Sequence, residues 1–289
     1  MTDPINTTTW RQRMRSYCKH PGSLLLLALV CLAALITAAA LLFVVGYILV
    51  KGIPNLSLSL FEWEYTTENV SLMPALINTL FMTVLALLFA VPVGIGAAIY
   101  LTEYATRGNK LVNLMRITAE TLSGIPSIVY GLFGSLFFVK ALHMGLSLLS
   151  GALTLAIMIL PLIMRTTEEA LLAVPDSYRE GSFGLGAGRL RTVARVVLPS
   201  AIPGILSGVI LGIGRIVGES AALIFTAGTV AEVATGLFDS TRTLAVHMYS
   251  ISGEGLYIDE TYATAVVLLV VVIAINALSS LAAKKLSKQ

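Results

Sequence analysis

Apolar residues in this chain gather in long runs, broken by short polar stretches, rather than recurring on one helix face or alternating as in a strand. Six runs stand out, at about 24–50, 73–101, 117–139, 144–164, 200–228 and 261–283. Crossing a bilayer takes about 20 predominantly apolar residues, and a helix satisfies its own backbone in lipid. The pattern therefore predicts an all-α integral membrane protein with six transmembrane helices. The first run is too long for a secretion-signal core and follows a polar lead, residues 1–22, so it reads as a retained span. Pro92, Pro126 and Pro161 fall inside spans two, three and four, and each removes a backbone donor. Ser123-Gly124-Ile125-Pro126-Ser127 is the sharpest interruption. Such breaks either line a pathway or serve packing, and the pattern leaves both open. In span five Gly204, Gly208 and Gly212 share one helix face, which predicts close approach of a neighbouring helix.

Composition agrees with this reading. The 289 residues are 56% hydrophobic and 12% charged, against about 25% charged in soluble domains. The net charge of +3 matters less than where the charges fall. Arg11, Arg13, Arg15 and Lys19 precede span one. Arg107, Lys110 and Arg116 lie between spans two and three. Arg165, Arg179, Arg189, Arg191 and Arg195 lie between four and five, and Lys284, Lys285 and Lys288 close the chain. The remaining connections are rich in Asp and Glu, so the positive-inside rule places both termini and the basic loops in the cytoplasm. Phe61, Trp63 and Tyr65 read as an interfacial aromatic belt on the far side. Cys18 and Cys31 have no partners at metal-ligand spacing, so neither a disulfide nor a zinc site is expected.

No phosphate-cradling Gly-x-x-x-x-Gly-Lys-Ser/Thr loop is present. If ATP drives this chain, a separate subunit binds ATP and Mg and hydrolyses it. No nucleophile, base and orienting group converge anywhere, so an enzyme is not expected. Asn78, Thr79, Glu120, His143 and His247 read as packing or interfacial groups.

The connection between spans four and five carries the most pattern. Ser177-Tyr178-Arg179-Glu180 fits a capping box, and Gly186 suits the end of that short helix. A second helix is expected with Leu190, Val193, Ala194, Val197 and Leu198 on one face, and Pro199 in the first turn of span five. Glu180-Gly181-Ser182, then Gly186, Val196, Leu198 and Pro199, resembles the docking loop of type I ABC importer permeases. That loop has the form Glu-Ala-Ala, three residues, Gly, nine residues, Ile, one residue, Leu-Pro. Here Gly181 and Ser182 replace two alanines and Val196 replaces isoleucine. The resemblance implies residues 23–289 as a permease domain, with a coupling loop at about 168–199 that docks on the ATPase.

Arg215 and Glu219 stand inside span five. Arg215 lies roughly 24 Å along the helix from Pro199. A charge near mid-bilayer costs about 2.5–3.5 kcal/mol and normally faces a pathway or a partner. Spaced four apart, the two could simply pair. A guanidinium fork suits tetrahedral oxyanions, and a neighbouring carboxylate favours an anion that still carries a proton, as phosphate does.

The stretch from Gly214-Arg215-Ile216-Val217-Gly218-Glu219-Ser220 to Thr226-Ala227 resembles span five of phosphate ABC permeases of the PstA type. Gly124-Ile125-Pro126-Ser127, Ile163-Met164-Arg165-Thr166-Thr167-Glu168 and Ala98-Ile99-Tyr100-Leu101-Thr102-Glu103-Tyr104 resemble that family too. The likeness implies pathway roles for Arg165, Arg215 and Glu219. It also implies alternating access, a paralogous permease partner, a dimer of ATPase subunits and an extracytoplasmic phosphate-binding protein. The continuation Ala221-Ala222-Leu223 favours the A over the C partner. A permease of this class for another oxyanion or small solute remains the alternative.

Overall fold

The computed structural model describes residues 21–106 and 108–286. The basic lead with Arg11, Arg13, Arg15, Cys18 and Lys19, together with Arg107 and Lys288, lies outside the described residues, as do the side chains of Lys284 and Lys285. The chain divides into two compact units, one ending at Lys51 and one running from Gly52. Helix α1, Pro21–Gly52, supplies the described residues of the first. Apolar on all sides, it has the character of a helix in lipid rather than one laid on a soluble core.

The second unit holds the remaining helices. They are α2 (Met73–Ile99), α3 (Lys110–Ser123), α4 (Ser127–Gly134), α5 (Leu148–Leu172), α6 (Asp176–Gly184), α7 (Arg189–Val217), α8 (Ala221–Ile224), α9 (Leu244–Glu254) and α10 (Ile258–Leu286). Among the described residues five helices are long and apolar enough to cross a membrane, or six if the bent pair of α3 and the α4 segment counts as one span.

Three expectations about the spans change. Span three is not one rod. α3 ends at Ser123, and the chain turns through 104° before resuming at Ser127. Pro126 holds φ at −58° and ψ at 140°, which fixes the turn because proline and the residue before it both disfavour continued helix. Span four begins at Leu148, capped by Ser147, whose hydroxyl accepts from the Ser150 N–H. It runs on to Leu172, so Arg165 sits within the helix instead of in a connecting loop. Span five and the expected second loop helix are a single helix, α7. Its turn Val193–Val197 is π-helical, and the Leu198 N–H reaches back to the Val193 carbonyl. The widened turn carries the helix past Pro199, which has no N–H to offer.

The glycine face of α7 behaves as its spacing predicts. A Cβ on Gly204 would meet Ala170, and one on Gly208 would run into Thr166; Gly212 lies over Ile159 and Ile163. α5 and α7 thus pack antiparallel at close range, over a core that includes Leu155, Ile159, Ile163 and Ile216. Gly208→Ala is expected to cost about 1–3 kcal/mol, because two backbones must separate to admit the methyl. Thermal unfolding in detergent measures this. Gly96→Ala is the control, since a Cβ there meets nothing within 4 Å.

Candidate functional site

The first candidate element is the polar hairpin between α5 and α7. The capping box expected on Ser177 and Glu180 does not form. α6 starts two residues earlier, with Pro175 at the cap and no side-chain cap bond. Asp176 supplies the acid of the first turn, where its charge suits the helix N-terminus. Glu180 and Gly181 are exposed, and Glu180 makes no hydrogen bond or ion pair among the described residues. Tyr178, Phe183 and Leu185 are exposed too, Leu185 at 91%. Gly186 ends the helix as expected, with φ at +81°. The Gly186 N–H donates to the Phe183 carbonyl at 2.9 Å and the Ala187 N–H to the Ser182 carbonyl at 3.1 Å, the paired bonds of a Schellman cap. The Ser182 and Thr192 hydroxyls lie 2.8 Å apart and tie α6 to the start of α7. Val196 and Leu198 are half-buried and Pro199 is exposed.

The second element is the far end of α7. The helix stops at Val217, between Arg215 and Glu219, so the two do not share one helix face and no ion pair joins them. Glu219 is 9% exposed, and its Oε1 accepts the Ala222 N–H at 3.1 Å, starting the short helix α8. Arg215 is half-buried in the last turn and has no ion pair among the described residues. Its charge acts on Tyr130 of α4, whose hydroxyl donates to the Leu122 carbonyl at 2.8 Å. A Cβ on Gly131 would meet Ala221 and Ala222, and one on Gly134 would meet Thr154 and Thr226. The two interrupted spans therefore pack directly on one another beside Arg215.

Arg165 lies elsewhere. Its Nε donates to Glu169 Oε1 at 3.1 Å across an exposed pair. Both line a cavity of about 260 Å³ with Arg116, Glu120, Ser123 and Glu168, in which Arg116 pairs with Glu168 at 2.5 Å. Because Thr166 faces Gly208, Arg165 stands about 10 Å of helix rise from Arg215 along the bundle. The two arginines lie apart along the bundle and do not form one cluster.

Sequence reasoning missed a cluster at the other end of the bundle from the α5–α7 hairpin. Asn78 and Thr79, read as packing groups, hold the loop before α9. Asn78 Nδ2 donates to the Glu232 carbonyl at 2.8 Å, its Oδ1 accepts the Ala234 N–H at 3.0 Å, and Thr79 Oγ1 accepts the Leu244 N–H at 2.8 Å. Two amide-compatible polar residues early in an apolar span were the available signal. Asp239 braces the same loop by accepting from Thr235 and Gly236, bonds that hold its carboxyl below the usual range. Tyr65, expected in an interfacial belt, lies under the Arg242 guanidinium, 4.5 Å from ring centroid to Cζ, and meets the His247 ring edge-on at 6.1 Å.

His247 is fully buried. Burial first, and the Arg242 charge second, push its pKa down to about 3; the Val70 carbonyl opposes this weakly. The unfolded chain takes up a proton near pH 6.5 that the folded chain refuses until about pH 3. Stability is therefore complete above pH 6.5 and falls as the pH drops through that window, by about 1.4 kcal/mol per unit at most. Unfolding midpoints between pH 7.5 and 4.5 should fall in the native chain. His247→Leu should flatten that slope by about 2–3 kcal/mol over the range.

The family model for the binding-protein-dependent transport system inner membrane component matches residues 90–289. The probable ABC transporter permease protein YqgI of Bacillus subtilis (strain 168) is 36% identical over 248 residues, which is 79% of this chain and 82% of the relative. The phosphate transport system permease protein PstA of Haemophilus influenzae is 35% identical over 219 residues, 75% of this chain and 77% of the relative. Among solved structures, a bacterial alginate ABC transporter in complex with an alginate-bound periplasmic protein aligns with a TM-score of 0.64. It is 16% identical and covers 95% of this chain and 99% of that one. The inward-facing MetNI methionine transporter gives a TM-score of 0.58 at 20% identity, over 74% and 94%. At such identities the structures speak for the fold alone, the bundle of type I ABC importer permeases. Family model, relatives and fold agree: the chain belongs to the inner membrane components of binding-protein-dependent transport systems and is the multi-pass permease subunit of an ABC importer.

Proposed function

We propose that this permease carries inorganic phosphate across the cytoplasmic membrane by alternating access. The observation that carries the proposal is the half-buried Arg215, without an ion pair among the described residues, four residues before Glu219 where two interrupted spans pack together. Discontinuous helices that meet inside a bundle are where transporters place ion sites. A guanidinium there offers forked donors to a tetrahedral oxyanion. Glu219 has one oxygen committed to the Ala222 N–H, which leaves the other to accept from a protonated phosphate oxygen. Arg165, about 10 Å further along the bundle, is the next electrostatic step, and its pairing with Glu169 keeps that step weak enough for the ion to leave. Relatives named as phosphate permeases support the cargo.

In this reading both termini and the α5–α7 hairpin face the cytoplasm. The hairpin, through Glu180, Gly181, Ser182, Gly186, Val196, Leu198 and Pro199, docks on a dimer of ATPase subunits that bind ATP and Mg. A paralogous permease completes the pore, and an extracytoplasmic phosphate-binding protein loads it. The assembled complex in liposomes, given labelled phosphate with unlabelled phosphate, sulfate or a phosphonate as competitor, tests the cargo. Phosphate alone should compete at equal concentration. Equal competition by sulfate sinks the phosphate assignment in favour of a general oxyanion permease.

A further inference from the structure

The hairpin that the proposed function docks on an ATPase has an inward face as well as an outward one, and a buried ion pair helps hold it. Arg179, the neighbour of Glu180, turns into the protein. Its side chain is 15% exposed and that of its partner Glu103 is 9% exposed. Nε lies 3.2 and 3.4 Å from the two Glu103 oxygens, and Nη2 lies 2.7 Å from Oε1. Nη2 also donates to the Leu171 carbonyl at 2.9 Å, and Nη1 donates to the Val174 carbonyl at 2.8 Å and to Asp176 Oδ1 at 3.2 Å. All five guanidinium N–H groups therefore have acceptors. These acceptors belong to three places: the end of α2, the end of α5 and the first turn of α6.

The α2 end has its own peculiarity. Glu103 sits in the π-helical turn Tyr100–Tyr104, a geometry often found at functional positions in helices. The other arm of the hairpin grips the same turn, because the Arg189 guanidinium lies over the Tyr104 ring at 5.7 Å. The Ser182–Thr192 contact locks the two arms together. Beyond the turn, α2 packs on α5, where Gly94 lies against Ile163 and Met164, and α5 packs on the glycine face of α7.

We propose that the Glu103–Arg179 pair is the joint through which movement of the hairpin is delivered to α2, with both as positioning residues for transport. The inference rests on the reading of the hairpin as the ATPase-docking element. Rigid-body switching needs a stiff, bistable contact between the moving parts. A forked, nearly buried arginine–carboxylate pair supplies this, whereas a lysine could supply only a point charge. Stabilising the fold is a poor reason for such a pair, because its desolvation offsets its attraction.

The test uses the complete transport complex in liposomes and reads phosphate taken up per ATP hydrolysed. Glu103→Gln, Arg179→Gln and Arg179→Lys should each keep the ATPase bound and hydrolysing while uptake per ATP drops at least about 10-fold. Glu103→Gln with Arg179→Gln should be no worse than either alone, since both remove one joint. Glu103→Gln leaves the Arg179 bonds to Leu171, Val174 and Asp176 in place and is the deciding variant. Unchanged uptake per ATP in it overturns the proposal, and so does loss of assembly, which makes the pair a brace. Native complex that binds its ATPase but takes up no phosphate counts against the cargo. Native chain that fails to bind ATPase counts against the docking reading. The second result also overturns the joint, which rests on that docking.

Discussion

Arg215→Ala is expected to reduce phosphate uptake at least about 100-fold, equivalent to about 2.7 kcal/mol, while the complex still assembles in the membrane. Assembly should survive because Arg215 has no ion pair among the described residues to break and stands half-buried in the last turn of α7. A local competing account exists. A cation in a final helical turn complements the helix dipole, worth about 0.3–1 kcal/mol, and that alone would explain an arginine there. The two accounts part at Arg215→Lys. A dipole partner is replaced by lysine without loss, and even alanine would then cost some thermal stability with uptake intact. An oxyanion contact that depends on the guanidinium fork is not restored by lysine. Uptake in the alanine and lysine variants, measured beside their unfolding midpoints, separates them. Wild-type uptake in Arg215→Ala would remove Arg215 from the pathway.

What the amino-acid pattern revealed and what it hid follow from the range of the interactions involved. Apolar runs locate spans because lipid imposes the same demand on every residue of a crossing, and the Gly204, Gly208 and Gly212 face showed which side of α7 another helix would approach. Local rules also found Gly186, whose left-handed cap depends on four neighbouring residues. They failed where two local rules competed. Ser177 and Glu180 match a capping box, but Pro175 caps the helix two residues earlier. Arg215 and Glu219 match a helical pair, but the helix ends between them. The Glu103–Arg179 joint links residues on separate elements, and no periodicity carries that information. Nor did hydropathy separate a straight third span from a pair bent through 104°, because both halves are equally apolar and Pro126 alone is compatible with a mere kink.

The second large effect is expected in the hairpin, and Glu180 and Gly186 test it in different ways. Glu180 is exposed and makes no hydrogen bond or ion pair among the described residues, so Glu180→Ala should leave the chain's unfolding midpoint unchanged. If the hairpin docks on the ATPase, the same substitution should cut uptake about 10-fold or more and weaken copurification of the ATPase. Wild-type values for both would refute docking through Glu180. At Gly186 the native φ of +81° meets no steric obstacle within the chain, since a Cβ there has nothing within 4 Å. A substitution thus acts through the backbone, at about 1–2 kcal/mol for an ordinary residue in the left-handed region, with asparagine the best tolerated after glycine. Uptake should therefore rank glycine, then asparagine, then alanine, then valine. If the limit were instead room against the docked partner, the smaller alanine would outperform asparagine. The order of those two variants decides whether Gly186 serves the hairpin by ending α6 or by leaving space for the subunit that docks there.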